Sequence, residues 1–275
     1  MIQLIACDLD GTLLDSSTQI RPSSRVMLHD LWKSGVMVVL ATGRSWRTAF
    51  KIQQQLGISG PIIAHNGGYA FNPAIGLDLY RRGVPVTTAK DMLSWSSQHD
   101  TMLRCYLGYG RPVIFNLFTP SHLSQFLRPE DTLLSHDGSN LNIDPLEIFL
   151  FGTTEIVPFM HHFGTKGPGY ELTIFDHRDH QEINICAPQV DKVEALSYIC
   201  SHFGFDRTEV MAMGDGINDV AMLAWAGTSV AMGHGAPESH AEANYVTSPT
   251  SLDPVVEGLR WAMSEKLLVP YRDRA

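Results

Sequence analysis

The sequence predicts an α/β protein: a Rossmann-like, doubly wound parallel sheet with an α+β domain inserted into it. Three observations carry this. Short apolar runs with β-branched members recur at Ile2–Ala6, Val36–Leu40, Pro61–Ala64 and Glu209–Met213, the pattern of strands buried on both faces. Stretches of helical length stand between consecutive runs in each half of the chain, as βαβ units require. From about residue 84 to residue 185 the texture changes, with more aromatic residues, His and Pro and no such alternation. The expected division is therefore a core over 1–83 and 186–275, with an insert over 84–185.

The first strand ends in Asp8-Leu9-Asp10-Gly11-Thr12. An extended backbone puts residues i and i+2 on one face, and Gly11 lets the chain turn away. Leu13 to Ile20 is polar and turn-rich. Pro22 opens a helix to about Ser34, stopped by Gly35. The second strand ends at Ala41-Thr42-Gly43-Arg44, where Ser45 is placed to cap a helix through Leu56 with Gly57 beyond it. The third strand ends at His65-Asn66-Gly67-Gly68. In the insert, a helix is expected at Ala89–His99 and strands at Met102–Leu107, Val113–Leu117, Leu146–Phe151 and Tyr170–Phe175. Core alternation resumes with a helix over Val190–His202. A fourth strand then ends in Gly214-Asp215-Gly216-Ile217-Asn218-Asp219. A helix to Ala226, a strand at Thr228–Met232, a short strand at Tyr245–Thr247 and a closing helix near Leu252–Glu265 complete the core.

Composition narrows the function classes. A net charge of −9 argues against a nucleic-acid partner, which needs clustered Lys and Arg. The four cysteines, Cys7, Cys105, Cys186 and Cys200, are scattered without a C-x-x-C pair, so they read as small buried hydrophobes in a reducing compartment. No signal peptide is visible ahead of the first strand. The longest stretch free of Asp, Glu, Lys and Arg, Ile52–Leu77, is broken by Gly and Pro and is no membrane span. A cytoplasmic chain, monomeric or a small homo-oligomer, is expected. His161-His162 and the run Asp176-His177-Arg178-Asp179-His180 fall in the insert; the run matches no common zinc spacing and reads as a polar loop.

The chemistry-bearing residues gather at strand ends. Carboxyl ends of parallel strands share one sheet edge, so Asp8 and Asp10, Thr42 and Gly43, and Asp215, Asn218 and Asp219 can converge although far apart in the chain. Like charges about 4 Å apart repel by about 1 kcal/mol in water and about 4 kcal/mol at an effective dielectric of 20. Several carboxylates in one cleft therefore call for a cation, and an all-oxygen set with few ligands suits Mg²⁺. Asp8 can attack phosphorus and carry the group covalently. Asp10 can donate a proton to the leaving oxygen and later accept one from water. Thr42 and Gly43 can hold a phosphate oxygen, and Lys192, opening the helix after the insert, can offset the charge.

These residues resemble the haloacid dehalogenase superfamily of phosphohydrolases, and more closely its Cof-type branch with the larger α/β cap. Asp8-Leu9-Asp10-Gly11-Thr12-Leu13-Leu14 is similar to the first motif of that family and Ala41-Thr42-Gly43-Arg44 to the second. Lys192 is similar to the third and Gly214-Asp215-Gly216-x-Asn218-Asp219 to the fourth. The resemblance implies Asp8 as nucleophile and metal ligand, Asp10 as acid/base with its carbonyl on the metal, and Asp215 as metal ligand. It also implies Asp219 as support for the metal, Thr42, Gly43, Lys192 and Asn218 as holders of the phosphoryl group, and Thr12 as the residue orienting Asp10. The implied activity is Mg²⁺-dependent hydrolysis of small phosphate esters such as sugar phosphates, nucleotides or phosphorylated cofactors, with the insert choosing the substrate. Phosphoryl transfer to a second hydroxyl uses the same pocket, and a binding protein without turnover is the non-enzymatic alternative. Val193 departs from the glycine usual after the third-motif lysine.

Overall fold

The computed structural model describes residues 1–99, 101–111, 113–115, 132–133, 138–152, 156–176 and 181–268. Its elements run, in order, β1 Leu4–Cys7, α1 Pro22–Lys33, β2 Met37–Ala41, α2 Trp46–Leu56, β3 Ile62–Ala64, β4 Tyr69–Asn72, β5 Leu77–Arg81, α3 Val86–Gln98, β6 Met102–Tyr106, β7 Val113–Phe115, β8 Thr132–Leu133, β9 Glu147–Gly152, α4 Ile156–Phe163, β10 Lys166–Gly167, β11 Tyr170–Asp176, β12 Gln181–Cys186, α5 Lys192–Phe203, β13 Val210–Gly214, α6 Val220–Trp225, β14 Thr228–Ala231, α7 Pro237–Glu242, β15 Tyr245–Val246 and α8 Pro254–Ser264. The chain forms two compact units, Met1–Tyr80 with Asp191–Ala275, and Arg81–Val190.

In the first unit, eight strands make one sheet in the order β15-β14-β13-β1-β2-β3-β4-β5. β1 is central and pairs parallel with β13, Leu4 opposite Val210, and with β2, Leu4 opposite Met37. Every residue of β1 is buried, which is why its run is uniformly apolar rather than alternating. Leu4, Ala6, Val39, Ala41 and Ala212 share one cluster with Leu196 and Ile199 of α5 and Met222 of α6. Gly57, in the left-handed region, ends α2 as the sequence suggests. Ser45 stands at the N-cap of α2, but its hydroxyl meets Thr48 Oγ1 at 3.3 Å instead of capping the backbone.

Two strands of this sheet were not expected. β3 continues through a tight turn into β4, which returns antiparallel with Ile63 opposite Ala70, and β5 forms the sheet edge. Tyr69–Asn72 is too short to show a period, and its neighbours Gly67 and Gly68 mask it as a loop.

The second unit carries a seven-stranded sheet in the order β10-β11-β12-β9-β6-β7-β8. The β11–β12, β12–β9, β9–β6 and β6–β7 pairs are antiparallel, and β7–β8 is parallel. Leu103, Cys105, Ile148, Leu150, Ile183 and Ile185 line one face and pack on Leu93 of α3 and Phe159 of α4. α4, β8, β10 and β12 add to the elements read from the sequence, and His161 and His162 lie on α4. His177 to His180 of the polar run lie outside the described residues. No helix among the described residues is long and apolar enough to cross a membrane.

All four cysteines are free thiols, three of them buried. Burial pushes Cys105 and Cys186 up to about 12 and Cys200 to about 11, and burial beside Asp8 raises Cys7. Thiolate, not thiol, is the reactive form. The native protein at pH 8 is therefore expected to react negligibly with a thiol-disulfide reagent over minutes, and to release four equivalents once unfolded in guanidinium. Rapid native labelling of Cys7 or Cys105 would contradict that burial.

Candidate active site

The site is built where β1 and β13, hydrogen-bonded neighbours, run out. β1 stops at Cys7, so Asp8 to Leu13 form a turn rather than a continued strand. Asp8 is buried at 4% exposure while the side chain of Asp10 is 54% exposed. The i, i+2 spacing thus does not aim the two carboxylates alike, because the backbone between them is not extended. Gly11 takes φ +80°, and a Cβ there would lie 2.2 Å from Oδ2 of Asp215. Only glycine allows both that backbone and that approach.

Lys192 is the first residue of α5, and its ammonium is buried between two carboxylates. Nζ donates to Asp8 Oδ1 and to Asp219 Oδ1, both at 2.6 Å. Burial by itself would lower the lysine's pKa, but the charges of Asp8 and Asp219 reverse this and hold it above its ordinary value. Asp219 Oδ2 accepts the backbone N–H groups of Asp215 and Gly216, at 3.0 and 2.9 Å. Both of its oxygens are thus engaged inside the protein. Asp215 Oδ1 accepts the hydroxyl of Thr12 at 2.9 Å. Thr12 therefore orients Asp215, not Asp10 as the resemblance implies.

Oxygen atoms of Asp8, Asp215 and Asp219 lie within 4.8 Å of one another. Three carboxylates against one ammonium leave two negative charges in a mostly buried space. The electrostatics register the excess. Burial lifts Asp8 to about 7, with Lys192 opposing and Asp219 and Asp215 adding to the rise, and burial raises Asp215 as well. The donor set is all oxygen and the surplus charge is that of a divalent cation, so these residues fit a hard divalent ion.

Thr42 is fully buried at the end of β2, and its Oγ1 accepts the N–H of Arg44 at 3.0 Å. Gly43 packs so closely on Asn66 that a Cβ would lie 2.6 Å from Asn66 Oδ1. Asn218 Nδ2 donates to that same oxygen at 3.3 Å, which joins the β2, β3 and β13 ends. Asp8, Thr12, Lys192, Asp215 and Asp219 thus form one connected group, and Thr42, Gly43 and Asn218 form a second around Asn66. Asp10 is linked to the second group through Arg44, whose guanidinium it pairs with and whose N–H donates to Thr42.

Three residues here were given no role from the sequence. Asn66 holds the second group together from a left-handed backbone, φ +54°. His234, after β14, donates from Nε2 to the Gly11 carbonyl at 2.7 Å and steadies the turn beyond Asp10. Arg44 grips Asp10. Each lies at the end of a core strand, and that position was the available signal.

Comparison with known proteins identifies the family. The chain is 26% identical over 264 residues to the 5-amino-6-(5-phospho-D-ribitylamino)uracil phosphatase YitU of Bacillus subtilis, covering 94% of this chain and 96% of that one. It is 25% identical over 271 residues to the chloroplastic endoribonuclease YBEY of Arabidopsis thaliana, covering 93% of this chain and 45% of that protein, so it spans less than half of that relative. In fold it is similar to a crystal structure from Geobacillus kaustophilus, with a TM-score of 0.75 at 24% identity over 96% of this chain and 99% of the other. The match to the haloacid dehalogenase-like hydrolases runs from residue 5 to residue 259, and the chain belongs to that family.

Proposed function

We propose that this phosphoric monoester hydrolase acts on small phosphorylated metabolites, with Mg²⁺ as its resident ion and the phosphoryl group passing through Asp8. One observation carries the reading: a buried lysine clamps Asp8 beside Asp215 and Asp219, with two negative charges left over. Buried charges are paired or coordinate metals, and one lysine does not neutralise three carboxylates.

In this reading the Asp8 carboxylate attacks phosphorus, and the bond from phosphorus to the ester oxygen breaks. Lys192 holds Asp8 in place through Oδ1 and, with Thr42, Gly43 and Asn218, offers donors to the phosphoryl oxygens. Asp10 gives its proton to the departing ester oxygen. It then takes one from the water that hydrolyses the aspartyl phosphate, which restores both carboxylates. Positioning and charge neutralisation supply most of the acceleration in such a transfer. Asp8, Asp215 and the Asp10 carbonyl would hold Mg²⁺, which supplies neutralising charge to the phosphoryl oxygens. Asp219 supports that group through Lys192 and the 215–216 backbone.

The substrate class is supported by similarity to a phosphatase of a phosphorylated ribitylamino-uracil. The unit Arg81–Val190 is proposed as the part that selects among esters. The test is a panel of sugar phosphates, nucleotides and phosphorylated cofactors assayed for phosphate release with Mg²⁺ and with EDTA. Release should fall at least about 100-fold on chelation and return with added Mg²⁺. Undiminished release in EDTA would contradict the metal assignment.

A further inference from the structure

The Asp10 carboxylate is gripped by a fork. Arg44 donates from Nε to Oδ2 at 2.7 Å and from Nη2 to Oδ1 at 2.5 Å. Two parallel bonds fix the plane of a carboxylate as well as its distance, which a point charge cannot do. The pair is open to solvent, the side chains being 27% and 54% exposed. An exposed ion pair contributes little to stability unless it is bidentate; this one is bidentate, so the fork both ties the two turns together and fixes the plane of the carboxylate.

Arg44 is itself held through its backbone. Its N–H donates to Thr42 Oγ1 and its carbonyl accepts the N–H of His65, both at 3.0 Å. Arg44 thus follows directly on Thr42 and Gly43, so one turn ties the proposed phosphate holders to the proposed acid. Its pKa is held above the ordinary value, first by the bond to Asp10 and also by the charge of Asp8. The guanidinium is therefore within electrostatic reach of both carboxylates of the first turn.

We propose that Arg44 is the positioning residue for the leaving-group acid, holding the Asp10 carboxyl where it meets the ester oxygen. This rests on the phosphatase reading above. When the bond from Asp8 to phosphorus forms and the ester bond breaks, the proton of Asp10 goes to the ester oxygen. Asp10 is left as the carboxylate that the fork already fits, and water returns the proton in the second step.

The test compares two esters on Arg44→Gln and Arg44→Lys. A nitrophenolate leaves as a stable anion and needs no proton, whereas an alkoxide from an alkyl or sugar phosphate does. The kinetic constant kcat/KM reports steps through the first phosphoryl transfer, before the shared second step. General acid catalysis is worth about 10²- to 10⁴-fold. Losing its positioning is expected to shift the ratio of kcat/KM for the alkyl ester to that for p-nitrophenyl phosphate by about 10- to 100-fold against the alkyl ester. Lys keeps the charge without the fork, so Arg44→Lys should show most of the same shift. An equal fall for both esters, a full recovery with Lys, or an unchanged ratio would each overturn the proposal. A wild-type protein that turns over neither ester, nor any in the metabolite panel, would instead refute the phosphatase reading and take the proposal with it.

Discussion

Replacing Asp8 by Asn is expected to cut turnover of every phosphate ester at least about 10⁴-fold, as loss of a covalent nucleophile does elsewhere, while leaving the fold intact. Both halves of that result follow from the site. An amide oxygen can still accept from Lys192, whose second partner, Asp219, remains at 2.6 Å. The substitution also removes one of three crowded acidic groups, so the cation-free variant should melt no lower than the wild type. Loss of activity with unchanged or raised Tm separates a missing nucleophile from a damaged fold. An Asp8→Asn variant with more than a few per cent of wild-type turnover would remove the basis of the mechanism.

The second large effect is expected from Lys192→Met, and here stability falls with activity. The methionine fills much of the volume but leaves Asp8 and Asp219 facing each other in a buried space. Breaking a buried pair by removing one partner costs about 3–5 kcal/mol, which denaturant melts would read directly. The pH dependence fixes the sign. Asp8 already sits near 7 with Lys192 present, above its unfolded value near 3.8. A carboxylate raised in the folded state destabilises that state above its folded pKa, and the penalty fades as pH falls toward the unfolded value. Lys192 titrates far above this window, its pKa being raised. The deficit of the variant should therefore be largest near pH 8 and shrink toward pH 5. A deficit that grows on acidification would contradict the charge account.

Much of this site was legible because polar groups at the ends of buried parallel strands have few other uses. Asp8, Asp215 and Asp219 could be grouped because the carboxyl ends of parallel strands share one sheet edge, and in the structure β1 and β13 are neighbours. Lys192 could be singled out as the cation opening α5, although its burial at 1% exposure could not. What the sequence hid were departures from regular backbone. The turn at Asp8–Leu13 separates Asp10 from Asp8, and that separation gives Thr12 to Asp215 and Asp10 to Arg44. Asn66 and His234 act through single side-chain bonds set by loop geometry, which no periodicity encodes. The core elements were readable because both faces are buried and their strands are continuously apolar. β4 and the second unit were less so, because short antiparallel strands between loops carry weak patterns.

The most direct test is to mix enzyme, Mg²⁺ and a good phosphate ester, quench in acid before steady state, and locate any phosphoryl adduct by peptide mass. If Asp8 is the nucleophile, one phosphoryl group appears on the peptide bearing Asp8, formed and lost at rates compatible with turnover. A phosphoryl group on another residue, or product accumulating in a burst with no adduct at all, would contradict that role.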